Sequence, residues 1–155
     1  MLNGAAFSNP GSLRQAALAH LRDSSPTVHY AAVYSLALTV TPSQGTTEMV
    51  AMLGAVSIDD RLLAAGALTG IGDKRGLPVL IAALDIADQL SYRDPPQPAF
   101  DFARTELLFF TTQDYGLKSA SDLAGVAATK PSWESWWQAN QSSIHFDDAT
   151  EKYSP

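Results

Sequence analysis

Apolar residues recur along this chain with a helical period, in blocks that themselves recur. Residues 12–21 set Leu13, Ala17, Leu18 and Leu21 on one stripe. Ser25-Pro26 reads as an N-cap followed by Pro at the first helical position. The run after it, to about Val40, buries Val28, Ala32, Val33, Leu36 and Val40. Pro42 to Gly45 breaks the pattern, and Thr46 or Thr47 opens a helix with Met49, Met52, Leu53 and Val56 on one face. Ser57 caps the next helix, whose stripe is Leu62, Ala65, Leu68 and Ile71, and Gly70, Gly72 and Asp73 end it. Residues 77–84 form another, with Pro78 tolerable because it lies in the first turn.

The period then lapses. Residues 88–98 carry Pro95, Pro96 and Pro98 among polar neighbours and read as a long loop. Helix returns over about residues 99–111, and residues 113–116 read as a turn. Residues 119–129 are weakly patterned, a short helix or a loop. Pro131 is expected to start the last helix, with Trp133, Trp136 and Trp137 on one face. The chain after Gln141 reads as a polar tail, frayed or draped. No strand is expected. The reading is one helical domain over residues 12–141, an N-terminal extension over 1–11 and a tail over 142–155.

A second periodicity organises the first. Leu21, Leu53 and Leu84 recur at 32 and 31 residues. His29 and Arg61, Ser25 and Ser57, and Leu36 and Leu68 each recur at 32. A unit of about 30 to 35 residues is one helical hairpin in a stacked array. The chain is therefore expected to be all-α, a short right-handed α-solenoid of three to four stacked antiparallel hairpins. One hairpin cannot bury its apolar face alone, so its neighbours must stack on it. Ala31-Ala32 and Ala64-Ala65 are small enough for adjacent helices to approach closely.

The third unit supports a family resemblance. Arg61, the pair Ala64-Ala65, Ala67-Leu68, Gly70, the Gly72-Asp73 turn and Pro78-Val79-Leu80 resemble a HEAT repeat of the short, phycobilin-lyase-like type. Ser25 to Leu36 looks like a diverged copy, with His29 in place of the usual Arg and no Gly-Asp turn. Residues 107–116 followed by Trp133, Trp136 and Trp137 resemble the closing segment of many bacterial HEAT-like proteins. Here 16 residues separate Gly116 from Trp133, more than that pattern has. The resemblance implies a fold and almost nothing about activity. It also implies structural roles for Arg61 and Asp73, since family members often pair such an Arg with a turn Asp of a neighbouring unit.

Composition narrows the partners. The 155 residues are 46% hydrophobic and carry a formal charge of −6. Their ten Lys and Arg are scattered, so nucleic acid and anionic membranes are poor partner expectations. A protein with a basic or mixed surface is a better one. Cysteine is absent, which excludes disulfides and thiol chemistry. No apolar run approaches the ~18 residues of a membrane span. The first ten residues lack the charged and apolar regions of a signal peptide. The cytoplasm is the default expectation, with a trimmed leader left open.

Candidate chemistry is sparse. The glycines of residues 70–76 lack the spacing of a phosphate-binding loop and read as a helix-to-helix turn. His20, His29 and His145 are too dispersed for a metal site, and no cofactor is expected. The three tryptophans read as a cap over the last hairpin, with an exposed platform as the alternative. The expected function is a non-enzymatic, monomeric protein-interaction scaffold. The alternatives are a carbohydrate or small-ligand module using the tryptophans or the Pro-rich loop, and a lyase-like accessory protein. The expected docking surface combines the second helix of each pair, with Gln15, Glu48, Arg75 and Asp85, and the long loop, with Tyr92, Arg93 and Asp94.

Overall fold

The computed structural model describes residues 10–91 and 95–155. They are mostly helical. The helices are α1 (Pro10–His20), α2 (Pro26–Thr39), α3 (Thr46–Met52), α4 (Ile58–Gly70), α5 (Leu77–Ala82), α6 (Ala99–Phe110) and α7 (Leu123–Asn140). Single 3-10 turns, Lys74–Gly76 and Ala83–Asp85, flank α5. Helices consecutive in the chain pack against each other from α3 to α7 and from α1 to α2. Helix α4 also touches α2 and α6, and α5 touches α7.

The helix starts follow the caps. The Ser57 hydroxyl accepts the Asp60 amide at 3.3 Å, satisfying one of the free N–H groups of α4. Ser25 occupies the same position before α2 without a side-chain bond, and Pro26 supplies the helical φ there. The buried stripes are those the spacing predicts in α4, where Leu62, Ala65 and Leu68 are inaccessible. In α2 and its C-cap, Ala32, Val33, Leu36 and Val40 are buried, but Val28 is exposed at the rim of a shallow groove between α1 and α2. Val56 is likewise almost fully exposed, since α3 ends at Met52 and the chain has already turned.

Three departures come from the C-terminal half. The loop over residues 88–98 is pinned by a two-stranded ladder, β1 (Gln89–Leu90) against β2 (Gln97–Pro98). Leu90 is buried there, and the Ser91 amide donates to the Asp59 carboxylate at 2.9 Å. Tyr92, Arg93 and Asp94 lie outside the described residues. Second, α7 does not start at Pro131. It begins at Leu123, capped by the Asp122 carboxylate accepting the Gly125 amide at 2.8 Å, and runs through Pro131. Pro131 removes one internal hydrogen bond, but the flanking turns are held by buried Val126, Thr129 and Trp133. Third, the polar tail is a hairpin, β3 (His145–Asp147) on β4 (Lys152–Ser154). Its Tyr153 is 1% exposed, and a bridge from Tyr153 to Thr111 fastens β4 beside the end of α6.

Two buried clusters share the molecule. The smaller holds Ala17, Ala32, Leu36, Val40, Met49, Ala64 and Leu68. The larger spans α4 to β4 and contains Phe102, Leu107, Leu117, Trp133, Trp136 and Tyr153. Helix α4 serves both, giving Ala64 and Leu68 to one and Leu62 and Ala65 to the other.

Candidate functional site: a cleft at the helix turns

The turn between α4 and α5 must reverse the chain within a few residues. Gly72 makes this possible with φ +80°, a conformation L side chains rarely adopt. A Cβ there would also lie 2.8 Å from the Phe146 ring. Asp73 follows and caps the 3-10 turn, accepting the Arg75 amide at 3.1 Å. The Arg75 guanidinium closes back on the same carboxylate through Nε at 2.8 Å and Nη2 at 2.5 Å. This two-point fork holds the Asp73 carboxyl below its ordinary range, against the opposing effect of burial. It raises the Arg75 pKa in turn.

Opposite this turn stand the α2–α3 turn and the β3–β4 hairpin. Together they line an open cleft of about 450 Å³. Ile71, Ile144, Phe146, Tyr153 and Pro42 supply its apolar surface. Thr46, Asp73, Lys74, Arg75 and His145 supply the polar one. Lys74 Nζ donates to the Gln141 carbonyl at 2.6 Å, tying the turn to the end of α7. The Tyr153 hydroxyl donates to the Thr69 carbonyl at 3.3 Å. Burial, with the Asp73 charge second, raises the Tyr153 pKa, so the phenol stays neutral.

Those of the predicted surface residues that are described do not converge. Arg75 lines the cleft. Glu48 is engaged elsewhere, pairing with Arg14 at 3.0 Å and so joining α3 to α1; its own backbone amide and Arg14 lower its pKa. Asp85 pairs with Lys130 at 2.8 Å, joining the end of α5 to α7, and Gln15 is exposed on α1. Among the described residues Arg61 forms no ion pair; its Nη1 donates to the Ala55 carbonyl at 3.1 Å. His29, at the equivalent position, bonds the Leu21 carbonyl at 2.8 Å. Both therefore tie a helix start to the turn before it, which is a structural task.

Trp133 and Trp136 are buried, with ring centroids 5.6 Å apart and edge to face, so neither is an open platform. Their indole N–H groups find no acceptor among the described residues. The residues that sequence reasoning missed are His145, Phe146 and Tyr153. The signal was present: Phe146 and Tyr153 each sit between polar residues, on either side of an acidic turn.

Among the described residues no three His, Asp or Glu side chains converge as a metal site. No helix among them is long and apolar enough to cross a membrane. Comparison with known proteins finds no matching family model, no matching curated protein and no matching solved structure.

Proposed function

We propose that the chain is a non-enzymatic, monomeric protein-interaction module built as a short right-handed HEAT-like solenoid. Successive pairing of the helices supports the architecture, as does the shared task of His29 and Arg61 at one repeat interval. Small Ala32 and Ala64 in the cluster between α2 and α4 fit close-stacked units. In such an array α1, α3 and α5 are the second helices and line the docking side.

The observation that carries the interaction reading is the cleft. It sets Ile71, Ile144 and Phe146 beside the charged groups of Lys74 and Arg75, the mixed lining that fixes a protein segment by area and orients it by polar contacts. Its walls come from two helix turns and a hairpin, so it presents edges rather than an enclosed chamber.

The test is reconstitution. Affinity capture from the native host should yield a protein that, once purified separately, forms a stoichiometric complex with this chain by size-exclusion chromatography with light scattering. Absence of any protein that reconstitutes would overturn the reading. A turned-over or tightly bound metabolite recovered with the purified chain would overturn it equally.

A further inference from the structure

We infer that the cleft receives a peptide segment in which one carboxylate is set among aliphatic side chains. This deepens the protein-interaction reading and rests on it. The chemistry follows from which hydrogen-bonding groups in the cleft are still unused.

Asp73 contributes the single carboxylate lining the cleft among the described residues, and it is saturated. It accepts from the Arg75 amide, Nε and Nη2, and its side chain is only 16% exposed. The donors are not saturated. Arg75 bonds through Nε and Nη2, and its Nη1 has no partner among the described residues, on a side chain 56% exposed. Lys74 makes one hydrogen bond, to Gln141, leaving two of its three N–H donors. His145 contacts Ser154 through Nε2, and its Nδ1, donor or acceptor according to tautomer, makes no hydrogen bond among the described residues. The cleft thus offers donors from two permanent cations and has no uncommitted carboxylate of its own. The matching ligand group is an acceptor with negative charge.

Asp73 does more than neutralise. By gripping Arg75 at two points it fixes the guanidinium plane, so less side-chain entropy is lost when Nη1 takes a third partner. The apolar wall of Ile71, Ile144 and Phe146 then selects what accompanies the charge: a carboxylate flanked by aliphatic groups buries them there, and a hydrated inorganic anion does not. The volume of about 450 Å³ suits a few residues of chain. The formal charge of −6 argues against a run of acids, which the whole molecule repels. One carboxylate, from a Glu or Asp side chain or from a chain terminus, fits both the local donors and the global field.

Short fluorescein-labelled aliphatic peptides provide the probes, in two matched pairs. One pair carries a single internal Glu or Gln. The other ends in a free carboxylate or an amide. Binding is read by anisotropy, and location by amide chemical shifts at Gly72, His145 and Phe146. At least one carboxylate peptide should bind and shift these amides, with its neutral partner weaker by about tenfold or more. The pair that shows the difference identifies the source of the carboxylate. Arg75→Gln should weaken binding by about tenfold. Lys74→Gln, which leaves the Asp73 fork intact, should weaken it several-fold, and Lys118→Gln on an exposed side chain should not. Equal binding of charged and neutral peptides, shifts confined to other surfaces, or no binding at millimolar peptide would each overturn the inference. Its failure is separable from failure of the interaction reading. A reconstituted partner complex that tolerates both Arg75→Gln and Lys74→Gln removes the cleft and leaves the module. Peptide binding without any reconstituting protein partner does the reverse.

Discussion

The two ends of this molecule are built from different materials. At the N-terminal end, α1 to α3 and one side of α4 close on alanines, three aliphatic residues and Met49. That layer is thin, and it leaves Val28, Tyr34 and Leu38 exposed on α2. At the C-terminal end, α5 to α7 and the β3–β4 hairpin enclose Trp133, Trp136, Phe102 and Tyr153 with a dense set of leucines. The first region is regular and poorly covered; the second is irregular and sealed. A helical unit with small residues at its contact allows close stacking but buries little area per residue, whereas each aromatic ring buries about 150–250 Å². Most of the hydrophobic stabilisation should therefore sit at the irregular end.

Paired truncations test that difference directly. Trp133 has no accessible surface, and Leu36 in the smaller cluster is 1% exposed. Trp133→Ala should cost about 3–5 kcal/mol, and Leu36→Ala about 2–3, since the thin layer can collapse toward the missing side chain. Urea unfolding followed by circular dichroism measures both. Equal losses, or a larger loss for Leu36→Ala, would erase the distinction between the two regions.

The same contrast governs how much of the molecule is legible in the sequence. Where burial recurs at the helical period, as in Leu62, Ala65 and Leu68, the pattern alone places the helix and its face. Where burial depends on what comes to lie above a residue, the pattern misleads. Val28 and Val56 carry the right spacing and are exposed, Val28 at the rim of the α1–α2 groove and Val56 beyond the end of α3. Pro131 reads as a helix start because its own ring favours that position, yet the Asp122 cap upstream decides the boundary. In the tail the ladder registers Phe146 against Tyr153, a pairing that joins residues seven apart and needs α6 beside it to become a buried site. Arg75 was legible as a surface cation. Its place in the cleft was not, because the groups facing it come from the α2–α3 turn, the start of α3 and the tail, which no local spacing connects.

A smaller effect sharpens the comparison at the point where the hairpin meets the helices. Gly72→Ala places a Cβ against Phe146 and forces a positive φ on an L residue. The expected cost is about 1–3 kcal/mol, read as a lower midpoint in thermal unfolding. The shift should be accompanied by loss of protection at the Phe146 amide, because the hairpin must move away. Tyr153→Phe removes only the hydroxyl that reaches the Thr69 carbonyl, and should cost about 1 kcal/mol with the hairpin retained. If Tyr153→Phe costs as much as Gly72→Ala, the hairpin is held by that hydrogen bond rather than by packing.

The smallest expected effect lies at the thin end and depends on pH. His29 Nδ1 lies 2.8 Å from the Leu21 carbonyl, and its Nε2 lies 3.0 Å from the Asp60 carboxylate. Neither a carbonyl nor a carboxylate carries a hydrogen, so both ring nitrogens donate only in the imidazolium. Burial lowers the His29 pKa, but the Asp60 and Leu21 hydrogen bonds outweigh it and the net shift is upward from 6.5. A group whose folded pKa is raised binds more protons folded than unfolded, so stability must fall as pH rises. The contribution is complete below the unfolded value near 6.5 and disappears as pH climbs through the folded one. The pair is partly exposed and its worth is about 1 kcal/mol or less. Melting temperatures of the wild type should therefore decline as pH rises above about 6.5, and His29→Gln should flatten that slope while lowering the acid plateau. The Trp133→Ala variant keeps the pair and should keep the slope. An unchanged slope in His29→Gln would remove the α2–α4 link as the origin of the pH dependence.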